Sequence, residues 1–146
     1  MNRTSIAAAI AISVWIAFGP PALSEDDTDQ RFGTVHFVTS CNETAQRRFD
    51  RAMRYQHSFW YQSSKELFEE VLKADPGCAI AYWGIALSLL YNPHASPPPA
   101  NLPLGILALQ KGQAVGARSQ RERDYIDALT VFYTDYDKVP HAMARG

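Results

Sequence analysis

The 146-residue chain contains two cysteines, Cys41 and Cys78, which are its only thiols. They lie 37 positions apart (78 − 41), and no Cys-x-x-Cys or Cys-x-x-Cys-His motif occurs. Thiol catalysis and haem attachment are therefore not indicated. In an oxidising compartment two such thiols pair as a disulfide or remain buried as free thiols. We predict the disulfide Cys41–Cys78, with two buried thiols as the alternative.

The four histidines, His36, His57, His94 and His141, raise the question of a metal site. No two of them have the i, i+4 spacing that places two ligands on one helix face, and the motif His-Glu-x-x-His is absent. His57 lies among aromatic residues, which favours a packed core side chain. His94 belongs to a proline-rich segment and could face a ligand. An enzyme or a metal- or ligand-binding protein with its site near His57, His94 and that segment is the alternative function.

Other side-chain patterns indicate no catalysis. Glycine-rich phosphate loops, nucleophile elbows and paired-carboxylate signatures are absent, so no catalytic residue, metal or cofactor is predicted. The run Phe59-Trp60-Tyr61 and the pair Tyr82-Trp83 have the composition of a ligand cage. At helical spacing we interpret these aromatic residues instead as core between packed helices.

Residues 1–24 have the features of a secretory signal peptide. Arg3 precedes an apolar run at positions 6–18, and small residues at the end of this stretch suit cleavage after Ser24. The run has 13 residues, whereas a bilayer requires roughly 20. A cleaved signal is therefore favoured over a membrane anchor. We expect an exported protein, periplasmic or extracellular, with no membrane association after cleavage.

The remaining residues, 25–146, have the size of one domain. Without Arg3 they carry 13 basic residues (14 − 1) against 15 acidic ones. This balance provides no positive surface for nucleic acid or for an anionic membrane. Nucleic acid is therefore not an expected partner.

Capping signals and apolar spacing predict the helices that position these residues. Residues 25–39 are polar and then β-branched, which indicates a flexible lead-in and an extended segment at 32–38 along the first helices. Ser40-x-x-Glu43 has the form of a capping box, with Asn42 as a second candidate cap, and Ser63-x-x-Glu66 repeats the signal. The first helix is expected to bury a stripe at three- and four-residue steps: Phe49, Ala52, Met53, Gln56, Phe59 and Trp60.

Later helices are bounded by turn signals. Asp75-Pro76-Gly77 ends the second helix, and the apolar stretch at 79–91 predicts a buried third helix. A proline-rich segment at 92–101 interrupts the pattern. A fourth helix follows and ends near Gly116, and Ser119 opens a fifth.

A 34-residue period relates the first two helix pairs. Residues 48, 51, 52 and 55 are followed by residues 82, 85, 86 and 89, with a difference of 34 in each case. Small, aromatic or aliphatic residues and one proline mark the period: Ala52, Tyr55, Ser64, Phe68, Pro76, Tyr82, Ile85 and Ala86. On these residues the chain resembles the tetratricopeptide-repeat family, whose units have this length. The similarity covers roughly residues 45–136 and includes the stretches 57–61, 78–87 and 121–129, which look like an exported bacterial subfamily of unknown role.

The resemblance implies an all-α solenoid of antiparallel helix pairs with about two and a half repeats. The implied organisation is a signal peptide at 1–24, a lead-in at 25–39, repeats at 40–77, 78–118 (with the insertion 92–101) and 119–137, and a tail at 138–146. Each cysteine immediately precedes the first helix of a unit. Because such helices pack at about 8–10 Å, the Cα separation of about 4.4–6.8 Å that a disulfide requires is within reach.

The function implied by the resemblance is a protein-interaction scaffold without catalysis of its own. Its partner would contact the concave face formed by the first helices, where Arg48, Arg51, Gln56 and Ser88 are candidate binding residues. Related proteins are usually longer, so a truncated remnant is a further alternative.

The last helix is expected to expose an aromatic patch, because no second helix follows to cover it. The residues of this patch are Tyr125, Leu129, Phe132, Tyr133 and Tyr136. We therefore expect either a longer array or self-association through this helix.

Overall fold

The computed structural model of the chain describes residues 32–134 and 136. They form five α-helices: α1 Glu43–His57, α2 Tyr61–Ala74, α3 Ile80–Leu89, α4 Asn101–Val115 and α5 Gln120–Thr134. This confirms the predicted all-α class. The predicted signal peptide at 1–24, the lead-in up to residue 31 and the tail at 138–146 lie outside the described residues.

The helices pack in a repeating order. Each helix contacts the next one along the chain, and in addition α1 contacts α3 and α3 contacts α5. The odd-numbered helices therefore share one side of the molecule, which we call the front face, while α2 and α4 pack behind them. The result is a repeat-like array of helix pairs.

Close approach of α2 and α3 depends on a small residue. Phe68 of α2 is fully buried, and a Cβ added to Gly84 of α3 would lie 2.4 Å from its ring. Only a residue without a side chain leaves that space for the ring. Ala52 and Ala86, which are 34 residues apart, are likewise fully buried. Both alanines are therefore core residues.

The helix boundaries follow some of the predicted signals and depart from others. The cap of α1 is Asn42, whose Oδ1 accepts a hydrogen bond from the Ala45 N–H at 2.9 Å. Ser63 is no cap, because α2 has already begun at Tyr61. Helix α2 ends before Pro76, and α4 ends at Gly116 with a φ of +80°. Both predicted stops are confirmed.

The predicted exposed patch of α5 is present in part. Tyr125 and Phe132 are each 40% exposed, whereas Tyr133 is buried together with Glu122 and Ile126. Gly105 of α4 makes room for Tyr133, since a Cβ there would lie 2.2 Å from the Tyr133 ring.

The Tyr133 ring is fixed from α3 as well. Its hydroxyl donates a hydrogen bond to the carbonyl of Ala86 at 2.7 Å. Burial raises the pKa of this hydroxyl. Tyr133 therefore belongs to the core and not to the predicted exposed patch.

The predicted disulfide between Cys41 and Cys78 is present, with a Cα–Cα distance of 5.0 Å. Cys78 is 1% exposed and packs in the core. The bond joins the end of the extended segment to the residues that open α3. It therefore ties the two units together at one end of the front face.

Candidate functional site

An aromatic cleft of about 500 Å³ opens where α1 and α3 end. Its walls are the turns after these two helices, the proline-rich segment and one residue of α5. The lining residues are Gln56, His57, Phe59, Tyr61, Leu87, Leu90, Tyr91, Asn92, Pro93, Ala95, Pro97 and Phe132. Clefts of about 300–1,000 Å³ with mostly apolar walls and a few polar groups are typical binding sites.

Phe59 is held in the cleft wall by the C-terminal turn of α1. The N–H of Trp60 bonds to the carbonyl of Tyr55 at 3.0 Å, and the N–H of Phe59 bonds to that of Gln56 at 3.3 Å. This pair of bonds is the Schellman motif, in which the residue at the Phe59 position takes the left-handed conformation and is usually glycine. Phe59 has a φ of +65° and its side chain is 69% exposed.

Tyr91 occupies the corresponding position after α3. Its N–H bonds to the carbonyl of Ser88 at 3.3 Å, its φ is +57°, and it is 37% exposed. Among residues 32–134 and 136, these two are the non-glycine residues with positive φ. Both are aromatic and both line the same cleft.

The left-handed conformation disfavours side chains such as these. It costs a residue other than glycine about 1–2 kcal/mol, and such outliers cluster at functional sites. Core packing does not explain the choice of an aromatic residue at Phe59, because most of its ring faces solvent. The Phe59 and Tyr91 rings are thus held at the cleft by backbone positions that disfavour side chains.

Replacing Phe59 by glycine is expected to raise the free energy of unfolding by about 0.5–1 kcal/mol. The release of the left-handed strain, about 1–2 kcal/mol, exceeds the entropic cost of glycine, about 0.5–1 kcal/mol. Urea unfolding followed by circular dichroism measures the change. A loss of more than about 1 kcal/mol would show that the ring stabilises the fold.

Tyr61 connects the two rings and carries a polar group. Its ring lies edge-on to those of Phe59 and Tyr91, at centroid distances of 6.2 and 5.6 Å. The Tyr61 hydroxyl is buried without a hydrogen-bond partner among the described residues. Burial raises the pKa of this hydroxyl. His57 is exposed at the cleft edge, so the prediction of a packed core side chain is wrong.

Two of the predicted partner-binding residues lie in the interior. Ser88 is 2% and Gln56 is 9% exposed. The Gln56 Oε1 accepts hydrogen bonds from the hydroxyls of Ser64 at 3.1 Å and Ser88 at 2.8 Å. These bonds join α1, α2 and α3 in the core, where the buried polar side chains of the three helices satisfy one another. Ser88 is therefore not presented to a partner, and the Gln56 carbonyl is already engaged.

Arg48 and Arg51 lie away from the cleft. They line a separate depression of about 490 Å³ between α1 and α2, together with Tyr55 and acidic residues of α2. Arg48 donates to the carbonyl of Glu70 at 2.8 Å, and the Arg51 guanidinium lies 5.9 Å from the Tyr55 ring centroid. Their role in partner binding stays a prediction.

The aromatic run at 59–61 does not form the expected core. Helix α1 ends at His57, so Phe59 and Trp60 leave the predicted stripe and are 69% and 55% exposed. Trp83, by contrast, is 8% exposed and packs in the core as expected. The aromatic run at 59–61 was the one sequence signal for the cleft. No glycine marked the end of α1, so the run was assigned to the helix.

The histidines form no metal site in the described part of the chain. Within residues 32–134 and 136, no group of three His, Cys, Asp or Glu side chains could hold a metal ion. His57 lines the cleft, whereas the lining does not include His94. The His94 N–H is hydrogen-bonded to Asn92 Oδ1 at 2.9 Å.

A search of the described helices for membrane spans finds none with the length and apolar character needed to cross a bilayer. Comparison of the chain with family models, with curated proteins and with solved structures gives no significant match in any of the three. The residues of the aromatic cleft are therefore the basis for assigning a function.

Proposed function

We propose that this chain is an exported tetratricopeptide-type repeat protein that binds a protein partner through the aromatic cleft. The observation that carries the proposal is the pair of exposed aromatic side chains, Phe59 and Tyr91, held at backbone positions that favour glycine. Exposed aromatic side chains on a fixed backbone are typical anchors of protein interfaces. No catalytic role is proposed for any residue.

Two features support the repeat type. The 34-residue period places Ala52 and Ala86 at equivalent positions, and both are fully buried. The packing order, in which each odd-numbered helix contacts the next odd-numbered one, is that expected of stacked helix pairs.

The disulfide supports export. Disulfides persist in oxidising compartments and are rare in the cytosol, and Cys41 and Cys78 are bonded here. Together with the signal-like residues 1–24, this favours a periplasmic or extracellular location.

A second candidate function is the binding of a small apolar ligand in the same cleft. The Tyr61 hydroxyl is consistent with it, because an acceptor on a ligand would satisfy this buried donor, which has no partner among the described residues. A peptide carbonyl supplies the same acceptor, so the hydroxyl does not separate the two candidates. The exposure of Phe59, which extends beyond the cleft, favours the protein partner.

Selection of a random peptide library displayed on phage tests the proposal. We expect the wild-type protein to enrich peptides that carry aromatic or aliphatic residues. These peptides should lose at least tenfold in affinity for a Phe59→Gly/Tyr91→Gly protein. Leu107→Ala is the matched control, because Leu107 is 48% exposed on α4 and lies outside the cleft lining.

Enrichment of peptides that bind the glycine variant and the wild type equally would contradict the proposal. If no peptide is enriched and an apolar dye is bound by the wild type but not by the glycine variant, the small-ligand candidate is favoured instead.

A further inference from the structure

Residues 32–40, which we call the N-terminal segment, lie along α1. Phe32 packs on Tyr55 and Trp60 near the end of this helix, with ring centroids 4.9 and 5.7 Å away. Thr39 reaches Gln46 near the start of the helix. The segment therefore runs antiparallel to α1, and it is neither helix nor part of a sheet among the described residues.

Side chains of α1 bind the main chain of this segment. The Phe37 N–H donates to Asp50 Oδ1 at 2.9 Å, and the Phe37 carbonyl accepts from Gln46 Nε2 at 2.8 Å. The Thr39 N–H donates to Gln46 Oε1 at 2.7 Å. One amide and one carboxylate thus satisfy three backbone groups in succession.

Side chains at the start of α5 and just before it bind the next residues. Both the N–H and the hydroxyl of Ser40 donate to the Glu122 carboxylate at 2.6 Å, and Glu122 is 1% exposed. The Ser40 carbonyl accepts from Arg118 at 2.8 Å, and the Val38 carbonyl accepts from Arg121. The segment consequently bridges α1 and α5 across the front face.

The Phe37 ring is the anchor of the segment. It lies 5.4 Å from Phe49, 5.9 Å from Trp83 and 5.4 Å from Tyr125, measured between ring centroids. These three residues belong to α1, α3 and α5. The Arg121 guanidinium lies 4.7 Å from the Phe37 centroid, within the range of a cation–π contact. All three helices of the front face therefore contribute to one aromatic pocket.

This arrangement is that of a bound peptide. Main-chain groups of the segment are held by side chains, and one aromatic residue fills a pocket, as in recognition of peptides by protein grooves. We propose that this surface is a peptide-recognition site and that the N-terminal segment is its built-in competitor. The partner would supply an extended segment with an aromatic residue followed, three positions later, by a hydroxyl residue, as Phe37 is followed by Ser40.

The proposed site differs from the aromatic cleft, because neither Phe37 nor the rings around it line that cleft, and it goes beyond the function proposed above. The competitor is tethered to α1 directly and by the disulfide at Cys41. A short tether gives an effective concentration in the millimolar range. A free peptide therefore competes poorly with the intact segment, and the site is best detected after the internal anchor is weakened.

The experiment uses the full chain with Phe37→Ala and a fluorescent synthetic peptide of the sequence of residues 32–40. We expect saturable binding to the variant, at least tenfold tighter than to the wild-type protein. A peptide with alanine in place of its second phenylalanine, and a peptide with alanine in place of serine, should bind more weakly. Equal binding of all peptides, or none to the variant, would overturn the proposal.

Amide hydrogen exchange of the wild-type protein provides a second measurement if Phe37→Ala does not fold. We expect the amides of Phe37, Thr39 and Ser40 to exchange through local opening, at least tenfold faster than those in the core of α3. Exchange only at the rate of global unfolding would show that the segment is an inseparable part of the fold. Peptide binding should be unchanged when Phe59→Gly is added to the Phe37→Ala protein. Failure of the peptide-site proposal can therefore be distinguished from failure of the cleft proposal.

Discussion

Replacing Phe68 by alanine is expected to lower the free energy of unfolding by about 3–5 kcal/mol, the usual cost of removing a buried aromatic ring. The side chain is fully buried. Its ring lies 5.1 Å from that of Phe49 and against the backbone of Gly84. Because α1, α2 and α3 all close around it, the cavity cannot collapse without moving a helix. Denaturant unfolding followed by circular dichroism measures the change.

Phe59→Ala is the matched control for this substitution. It removes the same ring from a side chain that is 69% exposed, so stability should change by no more than about 0.5 kcal/mol. Comparable losses for the two variants would contradict the assignment of Phe68 to the core and of Phe59 to the binding surface.

Removal of the disulfide is expected to destabilise the protein by about 2–4 kcal/mol, because the bond closes a long loop in the unfolded chain. The suitable variant is Cys41→Ser/Cys78→Ala, since Cys78 is 1% exposed and a buried serine hydroxyl would add a separate cost. Chemical denaturation under non-oxidising conditions compares the variant with the wild type. The melting temperature should fall by several degrees or more.

Reduction supplies the control for the disulfide. A phosphine reductant should lower the stability of the wild type toward that of the double variant and leave the variant unchanged. If the free energy of unfolding falls by less than about 1 kcal/mol, residual structure in the unfolded chain already restricts the loop that the disulfide closes.

Local signals predicted several helix ends correctly because the residues that produce them are adjacent in sequence. The stop at Asp75-Pro76-Gly77 and the stop at Gly116 depend on backbone conformations that proline imposes and glycine permits. The end of α1 was not predictable in this way. Its Schellman turn has Phe59 where a glycine would have been the signal.

The orientation of α5 depends on a residue in another helix. Gly105 makes room for the Tyr133 ring, and nothing within α5 indicates that Tyr133 is preferred to Tyr125 or Phe132 in the core. The spacing of apolar residues allowed either face. Packing against α4 determines which face is buried, and the residue pattern of α5 alone does not show this packing.

The same reason applies to the candidate site. Gln56 and Ser88 have polar side chains on the first helices and were expected to meet a partner, but their hydrogen-bond partners lie on neighbouring helices. The two cysteines could be paired from sequence because the repeat period places each before an equivalent helix. The cleft could not be predicted from sequence, since its walls come from two turns and a distant residue, Phe132.

Site-specific photo-crosslinking tests the central claim, that the aromatic cleft binds a protein partner, most directly. A benzophenone amino acid is placed at Phe59, at Tyr91 and, as a control, at Leu107, which is exposed on α4. The protein is irradiated in the cells that produce it. We predict that the same crosslinked product forms from Phe59 and Tyr91 and not from Leu107. A product that forms equally from all three positions, or from none, would contradict the claim.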